Sequence, residues 1–320
     1  MSGKADDFLL PNQCSEFNID NKADLRYLNK PTHNGPKQRY KNRGRPGLLL
    51  AGRKPRALEV MNKLKAITAN HYKKLLAIFA FLLIWQLVVM LFGIKEFILP
   101  TPIKTFSYLF VPELAAQYDW PKHIGTTLME MLIGFTVTAI VGIAVAVLMT
   151  WSSVLKHIIK PIITLFYSLP KIALAPLFLL WFGYGLIPNV MIAFLVAFFP
   201  IVINTSVGLT AVDEDLLDLV HYLHASKWQV LVKIRLPNAL PFIFSGFKIS
   251  ATLCVVGAIV GEFIASFQGL GFVLKEAQGL MDTPPMFASL ILISILGLSL
   301  FGIIALLEQW VMPWQQSKQN

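Results

Sequence analysis

The feature that most constrains this chain is a series of long apolar runs without charge. Residues 75–94, 131–155, 172–212 and 283–307 contain no Asp, Glu, Lys or Arg. About 20 apolar residues are enough to cross the hydrocarbon core of a bilayer. The whole chain is 55% hydrophobic and 14% charged, whereas soluble proteins carry about 25% charged residues. The sequence therefore predicts an all-α polytopic membrane protein.

The run 172–212 is long enough for two crossings. At about 1.5 Å per residue it spans roughly 60 Å of helix. The stretch "WFGYGLIPN" (181–189) contains two glycines and a proline, which predict a break between the two spans. Six transmembrane helices are therefore expected, at about 75–94, 126–150, 161–182, 188–209, 242–265 and 284–308, with an outer loop over 95–122.

The positive charge is concentrated before the first span. Residues 1–74 hold 16 Lys and Arg against 6 Asp and Glu, which accounts for the whole net charge of +10. Basic segments beside a span stay in the cytoplasm and favour anionic lipid. We expect 1–74 to be a largely disordered cytoplasmic tail, with a weak helix from about Arg56. Six crossings then place 313–320 in the cytoplasm as well.

The most charged passage after the tail is 213–240, which this topology places in the cytoplasm. Leu216, Leu219, Val220 and Leu223 form one apolar helix face. Ser226 and Gln229 fit a capping box that starts a second helix. That helix is expected to end before Pro237, with Pro241 in the first turn of the next span. Such a hairpin can lie on lipid or dock on a protein partner.

The segment 218–241 resembles the cytoplasmic "EAA" loop of type I ABC import permeases, which reads E-A-A, three residues, G, nine residues, I-x-L-P. The matching positions are Asp218, Leu219 and Val220 for E-A-A, His224 for the glycine, and Ile234, Leu236 and Pro237 for I-x-L-P. His224 therefore stands where the family has a glycine. A glycine at such a turn often adopts a left-handed φ, which histidine tolerates less well.

The resemblance extends over about 95–312, and the blocks 169–185, 198–209 and 255–274 resemble the subgroup that imports nitrate, sulfonates, taurine, bicarbonate or pyrimidine precursors. Glu130 stands where that family commonly has arginine. The similar blocks are "ILPTP" (98–102), "HIGTTLMEMLIGF" (123–135), "LPKIALAPLFLLWFGYG" (169–185), "FFPIVINTSVGL" (198–209) and "VVGAIVGEFIASFQGLGFVL" (255–274).

The resemblance implies an ABC type-1 transmembrane domain over 123–312 in the inner membrane of a bacterium. Its partners would be a second permease copy, two ATPase subunits and an extracytoplasmic solute-binding protein. The sequence has no G-x-x-x-x-G-K-[ST] phosphate loop, so we expect no enzyme activity or cofactor in this chain, and ATP with Mg²⁺ on the partner ATPase. The ATPase-coupling residues would be Asp218, Leu219, Val220, His224, Ala225, Ser226, Trp228, Ile234, Leu236 and Pro237.

Two charged residues near the spans are candidates for lining the transport pathway. Lys171 follows Pro170 and either reaches the inner interface or meets an anionic substrate. Glu262 either bonds nearby glycine backbone or takes part in gating. His221 and His224 lack a third ligand at a convincing spacing, so no metal site is expected.

Two other functional classes remain open at this point. An ion-gradient-driven secondary transporter would use buried acids, for which Glu130 and Glu262 are the candidates near spans. A membrane scaffold would use the basic tail to bind nucleic acid. The sequence does not identify the substrate, because specificity in the resembled systems lies largely in the separate binding protein.

Overall fold

The computed structural model describes residues 56–316, so the predictions for the tail before Arg56 and for 317–320 lie outside the described residues. Residues up to Ala66 and residues from Ile67 onward group as two units. Helix α1 (Arg56–Leu91) begins where the sequence predicts a weak helix. The second unit contains the long apolar helices.

The described chain is helical throughout its regular elements. A 3₁₀ turn covers Lys171–Leu174 and a π-helical turn covers Leu231–Arg235. After α1 the helices are α2 (Pro102–Phe110), α3 (Pro112–Tyr118), α4 (Trp120–Trp151), α5 (Ser153–Ser168), α6 (Ala175–Phe182), α7 (Leu186–Thr210), α8 (Glu214–Tyr222), α9 (Lys227–Val230), α10 (Leu236–Ala265), α11 (Leu270–Gly279), α12 (Thr283–Val311) and α13 (Pro313–Gln316).

Four helices among the described residues are long and apolar enough to cross a membrane. They are α4, α7, the continuous helix Lys227–Ala265 and α12. A bent pair, Ser153–Ser168 with Lys171–Phe182, gives a fifth span if the two helices count as one. The apolar part of α1, Leu76–Leu91, is a shorter helix, and its crossing stays a prediction.

The predicted span 161–182 is not straight. Its two helices meet at an angle of 86° across the break after Ser168. Leu169 has extended backbone, as expected for a residue before proline, and Pro170 has no N–H to continue the helical ladder. This local chemistry divides one apolar run into two helices.

The predictions for Pro237 and Pro241 are wrong. The helix that begins at Lys227 continues through both prolines to Ala265. The π-helical turn before Leu236 lets the Leu236 N–H donate to the Leu231 carbonyl, so the wider turn precedes Pro237, which lies in the first turn of α10. Pro241 lies inside α10 rather than in the first turn of a new span.

Helix α7 packs between α4 and α10, and small residues make the close approach possible. A Cβ added at Gly257 of α10 would lie 2.6 Å from Ala193 Cα, and one at Gly261 would lie 2.7 Å from Asn189 Cα. On the α4 side, a Cβ at Gly142 would lie 2.7 Å from Ile201 Cγ2. Small residues allow helix backbones to approach closely within membranes.

The expected outer loop contains two short helices, α2 and α3. The Tyr118 ring stacks on Trp120 at 5.5 Å between centroids, and Tyr118 Oη donates a 3.2 Å hydrogen bond to Asp282 Oδ2. Burial of Tyr118, with the Asp282 charge beside it, raises the pKa of this phenol. The loop is thus attached to the start of α12.

Candidate coupling hairpin and buried carboxylate cluster

The turn of the 213–240 hairpin has a defined left-handed geometry. Helix α8 begins at the N-cap Asp213, whose Oδ1 accepts the Asp215 N–H at 3.0 Å. At its end the His224 N–H donates to His221 O and the Ala225 N–H donates to Val220 O. This pair of bonds is a Schellman motif, and His224 takes the left-handed position with φ +57°.

The second half of the hairpin is capped as the sequence predicts. The Ser226 side chain accepts the Gln229 N–H, and the Gln229 side chain accepts the Ser226 N–H. This capping box is therefore confirmed.

The hairpin is attached to the helices behind it. Leu231 is buried in a cluster with Ala146 of α4 and Leu209 of α7. Arg235 Nη1 donates to Leu209 O at 3.4 Å, and Asn238 Nδ2 donates to Ala211 O at 3.1 Å. The base of the hairpin is therefore attached to α4 and to the end of α7.

The hairpin presents large apolar side chains outward. Tyr222 is 82% exposed, Leu223 69% and Trp228 63%. Leu216 and Leu219 of the predicted apolar face are also exposed. An exposed cluster of aromatic and aliphatic side chains is typical of a protein-binding surface. We call the exposed residues Leu216, Leu219, Tyr222, Leu223 and Trp228 the hairpin patch.

Trp228 also contacts α4, where its ring meets Trp151 edge-on at 6.1 Å between centroids. Beside this contact lies a cavity of about 200 Å³. Its lining residues are Thr150, Trp151, His221, Ala225, Lys227, Val230, Leu231 and Arg235. One side chain of the hairpin patch therefore touches the end of a long apolar helix.

The other predicted coupling residues occupy two settings. Asp218 is exposed on α8, and Val220 is half-buried on the same helix. Ile234 lies in the π-helical turn, half-buried, and Leu236 packs beside the cluster around Leu231. Pro237 is exposed at the start of α10. The hairpin thus brings the predicted residues together in sequence order, from an exposed patch to a buried base.

Lys171 lies at the bend between α5 and α6. Its Nζ donates a 2.8 Å hydrogen bond to Tyr167 O. The same Nζ is 4.7 Å from the Tyr167 ring centroid and 4.9 Å from that of Phe199. The ammonium is thus held by one carbonyl and two aromatic faces, a cation–π arrangement.

A cavity of about 330 Å³ lies between α5, α7 and the end of α4, beside Tyr167. Its polar lining consists of Lys156, Lys160, Thr164, Tyr167, Ser206 and Thr210. The rest of its wall is apolar, with Met149, Val202 and Val207 among the lining residues. Such a mixture suits a small solute with both apolar and polar parts.

Glu262 lies at the opposite end of α10 from the hairpin and is fully buried. Its Oε1 accepts from Thr127 Oγ1 at 2.5 Å and its Oε2 accepts from the Gly271 N–H at 2.6 Å. A Cβ at Gly271 would lie 2.9 Å from Glu262 Cβ. The predicted bond from Glu262 to glycine backbone is confirmed, and both carboxylate oxygens are engaged within the chain.

Glu130 and Asn189 complete this cluster. Asn189 Nδ2 donates to Glu130 Oε1 at 2.8 Å, and Asn189 lies against Gly261, one residue before Glu262. In the sequence, Glu130 stands out only as a departure from a family pattern and as an acid near a span. Their positions in the sequence could have suggested that the two acids lie near each other. Glu130 is near the start of one predicted span and Glu262 near the end of another, and the predicted topology places both of these ends on the same side of the membrane.

The residues match known proteins over most of the helical region. Residues 138–313 match the family model described as "Binding-protein-dependent transport system inner membrane component". The riboflavin transport system permease protein RibX of Chloroflexus aurantiacus is 34% identical over 236 residues, covering 74% of this chain and 87% of that protein.

Two further relatives are named for other solutes. The formylaminopyrimidine transport permease protein ThiX of Halalkalibacterium halodurans is 31% identical, covering 74% of this chain and 93% of that protein. The putative aliphatic sulfonates transport permease protein SsuC of Bacillus subtilis is 29% identical, covering 74% of this chain and 85% of that protein.

Apolar helices and an exposed amphipathic hairpin, together with these matches, define a membrane-embedded transport component. The chain belongs to the family of binding-protein-dependent transport system inner membrane components. It is a permease subunit of an ABC importer. Membership in this family favours the ATP-driven importer over the ion-gradient transporter and over the nucleic-acid-binding scaffold, and it implies ATPase and solute-binding partners in general.

Proposed function

We propose that the 213–240 hairpin couples this permease to a separate ATPase subunit on the cytoplasmic side. ATP, with Mg²⁺, is bound and hydrolysed on that partner. The hairpin patch docks in a groove of the ATPase, and ATP-driven closure of the ATPases moves the hairpin. The hairpin then moves the ends of α4 and α7, which switches the access of the pathway between the two sides of the membrane.

The observation that carries this proposal is the exposure of the hairpin patch beside a firmly attached base. Tyr222, Leu223 and Trp228 together expose a large apolar surface, which favours burial against a partner. Leu231 and Arg235 tie the base to α7 and α4. A surface that binds a partner and a base that is fixed to spans are the two parts that a mechanical coupler requires.

The proposed assembly contains two copies of this chain, two ATPase subunits and an extracytoplasmic solute-binding protein. The basic tail and the hairpin face the cytoplasm, and the cluster around Glu262 lies toward the outer side. This orientation follows the positive-inside rule. Lipid covers the apolar faces that the second copy does not cover.

A small polar heteroaromatic nutrient of the pyrimidine-precursor type is the substrate class we favour. The relatives named for riboflavin and formylaminopyrimidine are 34% and 31% identical, and the relative named for sulfonates is 29% identical. The cavity beside Tyr167 offers an aromatic ring, hydroxyls and lysines. We propose that this cavity and Lys171 line the inner part of the pathway, whereas Glu262 acts by positioning helices.

Uptake measurements test the pathway and the substrate together. Cells that express the chain with its ATPase and binding protein take up a labelled formylaminopyrimidine in the expected case, and a labelled sulfonate or nitrate at a much lower rate. Replacement of the exposed Lys275 by Glu is the matched control for Lys171→Glu, since Lys275 lies on α11 away from the cavity. Loss of uptake in Lys171→Glu but not in Lys275→Glu supports the pathway role, and equal uptake in both removes it.

A further inference from the structure

The two acids of the carboxylate cluster are held near each other by shared neighbours. Thr127, one turn before Glu130 on α4, donates to Glu262 of α10, and Asn189, which donates to Glu130, lies against Gly261. Glu130 is 1% exposed and Glu262 is 0% exposed. The ion pairs of the described residues are Lys104 with Glu96 and Lys248 with Glu308, so neither buried acid belongs to one. Two neighbouring buried carboxyl groups cannot both stay ionised without a cation between them.

The hydrogen bonds favour Glu262 as the ionised member of the pair. The Leu270 N–H donates to Thr127 Oγ1 at 2.9 Å, so the Thr127 hydroxyl hydrogen is free to be donated to Glu262 Oε1. The Gly271 N–H donates to the other oxygen, Oε2. Both oxygens of Glu262 therefore act as acceptors, which is the pattern of a carboxylate.

The bonds of Glu130 are those of a carboxylic acid. Its Oε1 accepts from Asn189 Nδ2, whereas its Oε2 is buried and meets no N–H or O–H donor in the described part of the chain. An ionised oxygen without a donor at such a site would be strongly destabilised. A proton on Oε2 removes that cost and gives Glu262 a further donor.

We propose that Glu130 and Glu262 form an acid pair that holds one proton, carried on Glu130 Oε2 and donated to the Glu262 carboxylate. The proton joins α4 to α10, and Asn189 adds α7 to the same network. Through Gly271 and Leu270 the pair also fixes the start of α11. This site is independent of the proposed substrate and of the ATPase contact, because it depends on contacts within this chain.

One other titratable group lies beside the network. The Nδ1 atom of His123 on α4 accepts the Gly269 N–H at 2.9 Å, so this nitrogen carries no proton. The imidazole of His123 is therefore neutral and does not balance the charge of the acids. Asn189 Oδ1 is buried and also meets no donor among the described residues. This oxygen lies toward Gly261, one residue before Glu262. If a cation rather than a proton balanced the acids, Asn189 Oδ1 would be available to bind it.

Infrared spectroscopy of the purified full-length chain at neutral pH tests the proton directly. The wild-type protein should show the C=O stretch of a buried protonated carboxyl group. The band should be absent in Glu130→Gln, because the amide cannot carry an acid proton, and it should persist with a shift in Glu262→Gln. Absence of the band in wild type, or its loss in Glu262→Gln but not in Glu130→Gln, overturns the proposal.

Thermal unfolding of the same three proteins provides the second readout. Glu130→Gln keeps the acceptor for Asn189 and supplies a permanent donor to Glu262, so its unfolding temperature should stay within about 2 °C of wild type. Glu262→Gln leaves a backbone or hydroxyl donor unpaired and should lower it by about 5 °C or more. A wild-type unfolding temperature that depends on Na⁺ or Ca²⁺, with the dependence lost in Glu130→Gln, would mean a bound cation and would contradict the proton.

Discussion

At the scale of one residue, the sequence raises the question of whether His224 preserves the turn of the hairpin, but it does not answer it. The family pattern places a glycine at this position, and the sequence leaves open whether histidine preserves the turn. The turn is preserved, with His224 at φ +57° and both bonds of the Schellman motif formed. His224 Nδ1 also lies 2.9 Å from Tyr222 O, a local contact that helps to hold the residue in this conformation.

Substitution of His224 separates backbone strain from side-chain chemistry. A left-handed conformation costs a non-glycine residue about 1–2 kcal/mol, and glycine removes that cost. Glycine also raises the conformational entropy of the unfolded chain, which lowers the free energy of unfolding by about 0.4–1 kcal/mol. His224→Gly should therefore leave local stability within about 1 kcal/mol of wild type. His224→Val should destabilise the turn by at least about 1 kcal/mol, because β-branched residues resist a left-handed φ.

Hydrogen exchange of the amides of Ala225 and of α9 measures this effect. His221→Val is the matched control, since His221 is exposed and has ordinary helical backbone. Faster exchange in His224→Val than in His221→Val is expected. Equal exchange in the two variants would mean that the left-handed residue does not determine the turn.

At the scale of single elements, the apolar runs predict where helices exist better than where they end or bend. The capping box at Ser226 is readable because it depends on residues three apart. The continuation of the helix past Pro237 cannot be predicted from the sequence pattern, because a π-helical turn over Leu231–Arg235 precedes the proline. Pro170 marks the break between α5 and α6, but the sequence does not specify the 86° angle between these two helices.

The N-cap of α9 gives an element-scale prediction. Ser226→Ala removes the acceptor for the Gln229 N–H, which costs about 1 kcal/mol at a typical cap. Amide exchange in α9 should rise about fivefold as a result. Ser168→Ala, at the exposed end of α5 where the serine bonds a carbonyl instead, should leave exchange in α9 unchanged. Unaltered exchange in Ser226→Ala would contradict the role of the cap.

The close contact of α7 with α10 gives a second element-scale prediction. A single methyl group at Gly257 would meet Ala193 Cα at 2.6 Å, and excess volume in a packed contact costs about 1–3 kcal/mol. Gly257→Ala should lower the thermal unfolding temperature of the purified protein. Gly302→Ala is the control, since a Cβ there meets nothing within 4 Å. Similar behaviour of the two variants would show that α7 and α10 tolerate separation.

At the scale of the molecule, the sequence predicts the family and the helical class. It does not predict the carboxylate cluster, because Glu130, Asn189 and Glu262 are brought together by packing among α4, α7 and α10. Nor does it predict the ion pair between Lys248 of α10 and Glu308 of α12. Contacts between distant segments depend on helix rotation, which an apolar run does not determine.

The ion pair between α10 and α12 predicts a non-additive pair of substitutions. Each partner is about one-quarter exposed, so the loss of either leaves a partly buried charge alone and should cost about 1–3 kcal/mol. Exchange of the charges in Lys248→Glu with Glu308→Lys should recover much of that loss in thermal unfolding. Additive effects of the two substitutions would show that the pair does not stabilise the protein.

The most direct test of the coupling mechanism is a site-specific crosslink from position 228. A photoreactive residue replaces Trp228 in the full-length chain, which is expressed in cells with its ATPase and binding protein. We expect a crosslink to the ATPase subunit, whose yield changes when ATP is bound, and no reaction with a membrane-impermeant reagent added outside. A crosslink to the solute-binding protein, or labelling of position 228 from the outside, would contradict the coupling mechanism.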